Sequence, residues 1–247
     1  MANYEHDTVV PNQQSTLSKK EQVATMFDSI APRYDFMNRF LSAGIDIGWR
    51  KKAIAQLQSL QPQVILDVAT GTADVALMMQ KILQPTAIVG IDISDGMLEV
   101  GRQKIAAQGL QRQIALYNGD SAAIAYANEY FDAATLSFGV RNFEHLEKGL
   151  SEILRVLKPG GMLVVLEFSQ PKNKLIKSFY NLYMNVVSPN LAKLISKNKE
   201  AYQYLDASIK KFPEGKEFTK ILDKVGFKNS KNKPLSFGLC SIYTGIK

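Results

Sequence analysis

Three aspartates and one glycine occur in order along the chain, each close to the end of a short apolar run. The first run leads into Asp67, with Gly71 in the short segment that follows, and two later runs lead to Asp92 and Asp120. A carboxylate in such a position can accept hydrogen bonds from the two hydroxyls of a ribose or from an exocyclic amino group. The pattern therefore predicts a site for a ligand that contains a nucleoside.

The loop after Asp67 argues against a dinucleotide. A dinucleotide site needs three glycines so that a pyrophosphate can approach a helix N-terminus, whereas this loop has only Gly71. Asp67 would repel a pyrophosphate but suits an ammonium group. S-adenosylmethionine has a sulfonium, an amine and no phosphate, so we expect it as the cofactor. The predicted contacts are Asp67, Gly71, Asp92, Asp120, Ser121 and Ser137.

Elements that would position these residues alternate between strand and helix. We predict buried strands at 64–68, 87–91, 114–117, 131–138 and 162–168, with helices at 73–83, 95–107 and 144–157 and a turn at 158–161. Helices between strands imply a parallel, doubly wound α/β sheet. Ligands bind such sheets at the carboxyl ends of the strands, where the aspartates would lie.

The two ends of the chain follow other patterns. Ser18 and Glu21 form a capping box that predicts a helix ending at Pro32, and a second helix is expected at 47–57. A last helix is expected at 213–225, and closing strands at 226–227 and 235–246. Residues 1–17 are predicted to be a disordered tail, and 18–247 a single domain.

Charge is concentrated late in the chain. Residues 172–233 have 14 lysines, no arginine and 5 acidic residues, a local charge of +9, whereas the whole chain has +7. Residues 178–192 have no charge and are shorter than the ~20 residues needed to span a bilayer. We interpret 172–212 as a helical insert beside an apolar substrate, with lysines that favour an anionic membrane. A methyltransferase that acts on RNA, with these lysines binding the phosphates, is the alternative, but the absence of arginine argues against it.

Composition limits the remaining choices. The single cysteine, Cys240, rules out an intrachain disulfide, and the first 17 residues resemble neither a secretory signal nor an arginine-rich presequence. We therefore expect a cytoplasmic protein, in contact with the inner face of the membrane. No metal site is predicted. A homo-oligomer is compatible with the sequence, which does not fix the number of copies.

Two longer motifs resemble signatures of one family. The first is Tyr34-Asp35-Phe36-Met37-Asn38, followed by Leu41-Ser42 and Trp49; the second is Arg155-Val156-Leu157-Lys158-Pro159-Gly160-Gly161, ending in Leu166-Glu167-Phe168-Ser169. Between them lies Ser137-Phe138-Gly139-Val140-Arg141-Asn142. From Val23 onward, the chain resembles the UbiE/MenG family of ubiquinone and menaquinone biosynthesis C-methyltransferases, which are class I methyltransferases. Three positions depart from the usual patterns: Ala69 and Ala73 replace loop glycines, and Asp46 replaces a histidine.

The resemblance implies a fold and a reaction. The fold is a Rossmann-like, mostly parallel seven-stranded sheet with N-terminal helices and the insert after the fifth strand. The reaction is transfer of a methyl group from S-adenosylmethionine to a ring carbon of a prenylated quinol, and Thr72 joins the expected cofactor contacts. Demethylmenaquinol is the favoured substrate. The equivalent benzoquinol and a catalytically silent cofactor-binding scaffold remain as alternatives.

Such a reaction needs alignment, a base and a cation near the forming oxyanion. We expect Arg141 to stabilise the oxyanion and Asn142 to orient a water or the hydroxyl. Tyr34 and Asp35 would close the site, and Tyr202 would line the substrate pocket. Little weight is given to the only histidines, His6 in the tail and His145 at a helix start.

Overall fold

The computed structural model describes residues 4–171 and 199–247, which form one seven-stranded sheet with helices on both faces. The strand order is β3-β2-β1-β4-β5-β7-β6. Strands β1 to β5 pair in parallel, and β7 pairs antiparallel with both β5 and β6. The strands are β1 Val64–Val68, β2 Ala87–Asp92, β3 Ile114–Asn118, β4 Phe131–Ser137, β5 Leu157–Phe168, β6 Lys228–Leu235 and β7 Cys240–Ile246. The predicted doubly wound, mostly parallel sheet is confirmed.

Eight α-helices lie within the described residues. They are α1 Lys19–Ile30, α2 Tyr34–Leu41, α3 Ile45–Ile54, α4 Asp74–Leu83, α5 Asp95–Ala107, α6 Leu146–Val156, α7 Lys199–Lys211 and α8 Lys216–Val225. Helices α3, α4 and α5 cover one face of the sheet, and α6 and α8 cover the other. No helix in the described part of the chain is long and apolar enough to cross a membrane. The predicted insert falls mostly on 172–198, outside the described residues.

The helical N-terminal region differs from the prediction in one respect. The capping box at the start of α1 is confirmed, because Ser18 accepts from the Glu21 N–H and Glu21 accepts from the Ser18 N–H. After Pro32, however, the chain makes a short 3-10 turn and then continues as α2. Proline is tolerated there because the first N–H groups of a helix have no intrahelical partner.

Two predicted boundaries near the last strands were wrong. The expected turn at 158–161 is part of β5, where the register against β4 shifts between Phe131 and Ala133 and Gly160 has a φ of +79°. The closing strands expected at 226–227 and 235–246 are instead β6, Lys228–Leu235, and β7, Cys240–Ile246, with a 3-10 turn, Ser236–Gly238, between them. Alternating apolar residues suggested one strand, but Phe237 has a φ of +59° and is 83% exposed.

The expected disordered tail is ordered in part. Glu5–Thr8 forms a 3-10 helix, and His6 is completely buried against the edge of the Phe212 ring. Lys19 Nζ donates to the His6 carbonyl at 2.7 Å, and Tyr4 Oη donates to Glu147. This stretch is therefore packed on the domain.

Burial of His6 makes this packing sensitive to pH. Burial, together with the nearby Lys19 ammonium, lowers the pKa of His6 to about 3. Its Nε2 lies 3.3 Å from Asp7 Oδ1, which does not reverse the direction. Above the unfolded pKa of ~6.5, His6 is neutral in both the folded and the unfolded chain. As the pH falls below that value, the unfolded chain binds a proton that the buried His6 does not bind, so the free energy of unfolding decreases.

We expect His6→Phe to weaken the acid sensitivity of the protein. Between pH 6.5 and pH 5 the neutral histidine accounts for at most about 2 kcal/mol of lost stability, or about 4 to 8 °C in Tm. Thermal melts at pH 7.5 and pH 5 should therefore show a smaller drop for the variant than for the wild-type chain. Equal drops would contradict this role of His6.

Candidate functional site

A cavity enclosing about 850 Å³ of free space, part of it open to solvent, lies at the carboxyl ends of β1, β2 and β4. The strand order reverses between β1 and β4, which is where open α/β sheets bind ligands. Seven residues from the sequence prediction line the cavity: Tyr34, Gly71, Asp92, Asp120, Ser121, Ser137 and Asn142.

Asp67 lies beneath this cavity rather than in its wall. The carboxylate is 1% exposed and accepts hydrogen bonds from Thr70 Oγ1 at 2.7 Å and Thr135 Oγ1 at 2.6 Å. Burial raises the pKa of Asp67 to about 6, and the two hydroxyls oppose that rise. Both carboxylate oxygens accept hydrogen bonds within the protein and Asp67 is not among the lining residues, so the predicted contact between Asp67 and the cofactor ammonium is not what this structure presents.

The loop above Asp67 is strongly curved. Ala69, Gly71 and Ala73 all have positive φ values, of 52°, 55° and 62°. Alanine adopts this left-handed region at some energetic cost, which explains why glycine is the common choice at such positions. A side chain at Gly139 would meet the Cβ of Ala69 at 2.5 Å, so the β4 loop packs directly against this curve.

Asp92 connects the β1 loop to the end of β2. Its Oδ2 accepts from the Gly71 N–H at 2.8 Å, and its Oδ1 accepts from the Ser94 N–H at 2.9 Å. The pKa of Asp92 is raised by burial, and the hydrogen bonds from these backbone N–H groups only partly oppose that rise. A carboxylate that is fixed by the backbone and still lines the cavity is well placed to accept hydrogen bonds from a ribose.

Asp120 lies on the other side of the cavity, beside α1. Burial tends to raise its pKa, but the Ala122 N–H and Lys20 bring the pKa below its usual value. Lys20 Nζ lies 3.0 Å from Asp120 Oδ2. Lys20, Val23 and Phe27 also line the cavity and were not predicted from the sequence. Their positions along the capped helix gave no signal, since only the fold brings α1 across the strand ends.

Arg141 does not reach the cavity wall. Its Nη1 donates to Glu167 Oε1 and to the Phe138 carbonyl, both at 2.7 Å, and its side chain is 6% exposed. The guanidinium also lies 5.4 Å from the centre of the Phe168 ring. The predicted direct contact between Arg141 and a substrate oxyanion is therefore not what the structure presents, because Arg141 is committed to a buried ion pair.

Asn142, the next residue, does line the cavity, and α7 fixes its amide. Tyr204 Oη donates to Asn142 Oδ1 at 3.1 Å. Tyr204 is 4% exposed, and burial raises the pKa of its phenol, so the hydroxyl stays protonated. Tyr202, not Tyr204, was the tyrosine predicted to line the substrate pocket. Tyr202 lies in α7, but its side chain falls outside the described residues.

Asp35 and Thr72 contact each other instead of the cavity. Thr72 Oγ1 donates to Asp35 Oδ1 at 2.5 Å, and Lys104 Nζ lies 2.8 Å from Asp35 Oδ2. Thr72 is 2% exposed. The expected roles of Thr72 as a cofactor contact and of Asp35 as a catalytic residue are not supported by this placement, because both side chains lie behind the loop that carries Gly71.

The same pair belongs to a larger ion network. Lys104 also pairs with Asp74, which contacts Arg50 at 3.1 Å and Arg39 at 2.6 Å. Asp46 completes it by pairing with Arg39 and accepting from Ser42 Oγ at 2.7 Å. Asp46 is 4% exposed and pairs with both Arg39 and Arg50, which also pair with Asp74. This network explains the aspartate at the position where the family pattern has a histidine.

One of the two histidines lies at the cavity. Glu144 and His145 contribute to the cavity at the start of α6, whereas His6 lies in the buried N-terminal contact. In the described residues, no group of three or more histidine, cysteine, aspartate or glutamate side chains is arranged to hold a metal ion.

The chain matches one family model over nearly its whole length. The model describes the ubiE/COQ5 methyltransferase family and matches residues 15–247. A demethylmenaquinone methyltransferase of Bacteroides fragilis is 45% identical over 99% of this chain and 100% of its own length. A ubiquinone/menaquinone biosynthesis C-methyltransferase of Geobacter sulfurreducens is 43% identical over 93% of this chain and 90% of its own.

Solved structures agree at the level of the fold. A SAM-dependent methyltransferase of Thermotoga maritima superposes with a TM-score of 0.62, at 17% identity over 91% of this chain and 99% of its own. One from Aquifex aeolicus gives a TM-score of 0.54, at 16% identity over 74% and 81% of the two chains. Together with the cavity at the strand ends, the family match leads to one conclusion: the chain belongs to the ubiE/COQ5 methyltransferase family.

Proposed function

We propose that the protein transfers the methyl group of S-adenosylmethionine to a ring carbon of demethylmenaquinol, giving menaquinol. In this reaction the quinol hydroxyl would lose a proton to water, and the ring carbon would attack the sulfonium methyl as the carbon–sulfur bond breaks and S-adenosylhomocysteine leaves. The methylated carbon would then give its proton to water, and the oxygen would take up a proton again. One observation carries this proposal: a cavity walled by Asp92 and Asp120 lies at the strand-order reversal of a chain 45% identical to a demethylmenaquinone methyltransferase.

The cofactor would lie across the ends of β1, β2 and β3. Asp92 accepts from the ribose hydroxyls, and Asp120 with Ser121 faces the adenine amino group. Gly71 lets the backbone approach, and Ser137 lies near the methionine part. Ile91, Ile93 and Met97 also line this part of the cavity and supply apolar surface for the adenine ring. Thr72 and Asp67 act from behind, by holding the loop.

The acceptor would lie beside Tyr34 and Asn142. Since Tyr204 occupies Asn142 Oδ1, the Nδ2 half of the amide is available to donate to the quinol oxygen as it gains negative charge. Arg141 contributes by holding the turn that carries Asn142, through Glu167 and the Phe138 carbonyl.

The choice of quinol is tested directly. With labelled S-adenosylmethionine and each reduced substrate in turn, we expect methylated product from demethylmenaquinol and at least about tenfold less from the benzoquinol of ubiquinone synthesis. Mass spectrometry identifies the product. Preference for the benzoquinol would overturn the assignment, and labelling of neither would overturn the proposed reaction.

Asp92→Asn tests the cofactor site. The amide accepts hydrogen bonds less strongly than a carboxylate and cannot serve two hydroxyls and two backbone N–H groups equally well, so we expect cofactor Kd to rise at least about tenfold. Calorimetry with S-adenosylhomocysteine measures the change. Asp95→Asn, on the exposed first turn of α5, is the matched control and should bind normally. Equal affinity of both variants would contradict the role of Asp92.

Tyr204→Phe tests the orientation of Asn142. Loss of one hydrogen bond should lower kcat about fivefold to tenfold and leave cofactor Kd unchanged, because the phenyl ring keeps its packing. Tyr243→Phe removes a comparable buried hydroxyl, which accepts from the Gly215 N–H away from the cavity. That control should keep its kcat. A similar kcat for the two variants would rule out positioning by Tyr204.

The remaining expectations extend this proposal. A single domain, a cytoplasmic location and contact with the inner face of the membrane suit an enzyme whose substrate has a polyprenyl tail. In the described residues, Lys210, Lys211 and Lys224 of the basic region are paired with Asp206, Glu5 and Glu147. Lysines outside these three pairs must therefore contribute to any contact with an anionic surface.

A further inference from the structure

Exposed large apolar side chains are concentrated on one part of the described surface. Eight such side chains are exposed, and five of them lie in α2, in the start of α3 or in the turn before β7. The most exposed are Phe237 at 83% and Phe36 at 61%. We call these five the apolar patch: Phe36, Phe40, Ile45, Ile47 and Phe237.

The three segments that carry the patch are joined. Phe36 and Phe40 stack, with ring centroids 5.9 Å apart, one helical turn from each other. Trp49 Nε1 donates to Ser236 Oγ at 2.8 Å, which fixes α3 to the turn that carries Phe237. Ile45 lies four residues before Trp49 and so on the same side of α3. Helix α2 contacts α3, and α3 is bonded to the turn before β7, so the three segments that carry these side chains are neighbours.

The turn at Phe237 exposes its ring at a conformational cost. Ser236 and Phe237 both have positive φ values, of 45° and 59°, which residues with a side chain seldom adopt. The neighbouring apolar residues, Leu235 and Cys240, are buried. A strained backbone that directs a large ring into solvent indicates a role outside the fold.

The charges near the patch are mostly positive, and the acids beside it in sequence, Asp35 and Asp46, are both paired with basic side chains. Residues 36–63 contain a single acid, Asp46, which is buried and paired with arginines, and exposed Lys51 and Lys52 follow it. Residues 228–238 contain three exposed lysines and no acid: Lys228, Lys231 and Lys233. Apolar side chains bordered by lysines are the composition of a surface that lies on anionic lipid.

The patch begins at the rim of the cavity. Tyr34, the first residue of α2, lines the cavity, and Phe36 follows about 3 Å further along the helix axis. On the other side, Trp49 packs against Phe138, a second lining residue, with ring centroids 6.5 Å apart. A membrane that contacts the patch would therefore lie next to the rim of the cavity.

We propose that the apolar patch docks on an anionic bilayer surface and brings the rim of the cavity to the lipid–water boundary. This rests on the proposed function, since a quinol with a prenyl tail resides in lipid. A second copy of the chain is the poorer occupant. A twofold interface through the patch would bring Lys51 and Lys52 close to their equivalents, with no exposed acid in these segments to pair with them.

Vesicle sedimentation tests the apolar part. The wild-type chain should sediment with phosphatidylglycerol vesicles and much less with phosphatidylcholine vesicles, and about 0.5 M salt should weaken the binding. Phe36→Ser with Phe237→Ser should weaken it at least about tenfold. Leu17→Ser with Tyr117→Ser removes two side chains of similar exposure elsewhere, and this control should bind like wild type. Equal binding of the two double variants would overturn the proposal.

A charge reversal tests the lysines without touching the aromatic rings. Lys51→Glu with Lys52→Glu should reduce phosphatidylglycerol binding about tenfold or more. Lys216→Glu with Lys220→Glu makes the same change of charge on α8, on the opposite face of the sheet, and should have a smaller effect. Equal losses would show that net charge alone drives binding and would overturn docking by the patch.

Activity separates this proposal from the reaction itself. In detergent, with a short-chain demethylmenaquinol, the patch variants should turn over like wild type, whereas with vesicle-borne substrate they should be slower. No turnover by the wild-type chain in detergent would refute the proposed function. Normal wild-type turnover with equal vesicle activity of all variants would refute docking alone. Analytical ultracentrifugation completes the test, because a dimer abolished by Phe36→Ser with Phe237→Ser would assign the patch to self-association.

Discussion

The buried carboxylate of Asp67 is the constraint on which the site depends. It ends β1 at the point where the strand order reverses, and it accepts hydrogen bonds from Thr70 in the following loop and Thr135 in the neighbouring strand β4. These bonds fix the loop relative to both strands. The curved backbone can then present the Gly71 N–H to Asp92, so that the ends of β1 and β2 form one wall of the cavity. Burial raises the pKa of Asp67, which shows that these hydrogen bonds form at the cost of removing a carboxylate from water.

A second set of charges holds the N-terminal helices on that loop. Asp35, Asp46 and Asp74 balance Arg39, Arg50 and Lys104, so the network has no net charge. Buried charges are tolerated when each has a partner, and removing one partner is more costly than replacing the pair. Helices α2 and α3 are therefore held where Tyr34 meets the cavity and where the apolar patch faces solvent.

The acceptor side of the cavity follows the same principle of indirect support. The side chain that reaches the cavity, Asn142, is oriented by Tyr204 from α7 and carried by a turn that Arg141 holds through Glu167. Groups that touch a ligand must be held in place by others that do not, because a small displacement of a reacting group is costly. For this reason two neighbouring residues differ: Asn142 lines the cavity, whereas Arg141 lies behind it and pairs with Glu167.

The sequence by itself determined the sheet, the helices between its strands and the strand-end acids, because these depend on local periodicity and on the chemistry of a few side chains. Asp92 and Asp120 line the cavity as that reasoning required, and the family signatures identified the family.

The sequence did not separate lining residues from those one layer behind. Asp67, Thr72 and Arg141 have the right chemistry, but hydrogen bonds to residues distant in the chain turn them into supports. Only the tertiary structure could decide this, as it alone brings α1 and Lys20 over the strand ends, pairs Asp46 with Arg39, and leaves Phe237 exposed beside α3. Local patterns fix which elements form, whereas the direction of each side chain depends on partners that only folding brings within reach.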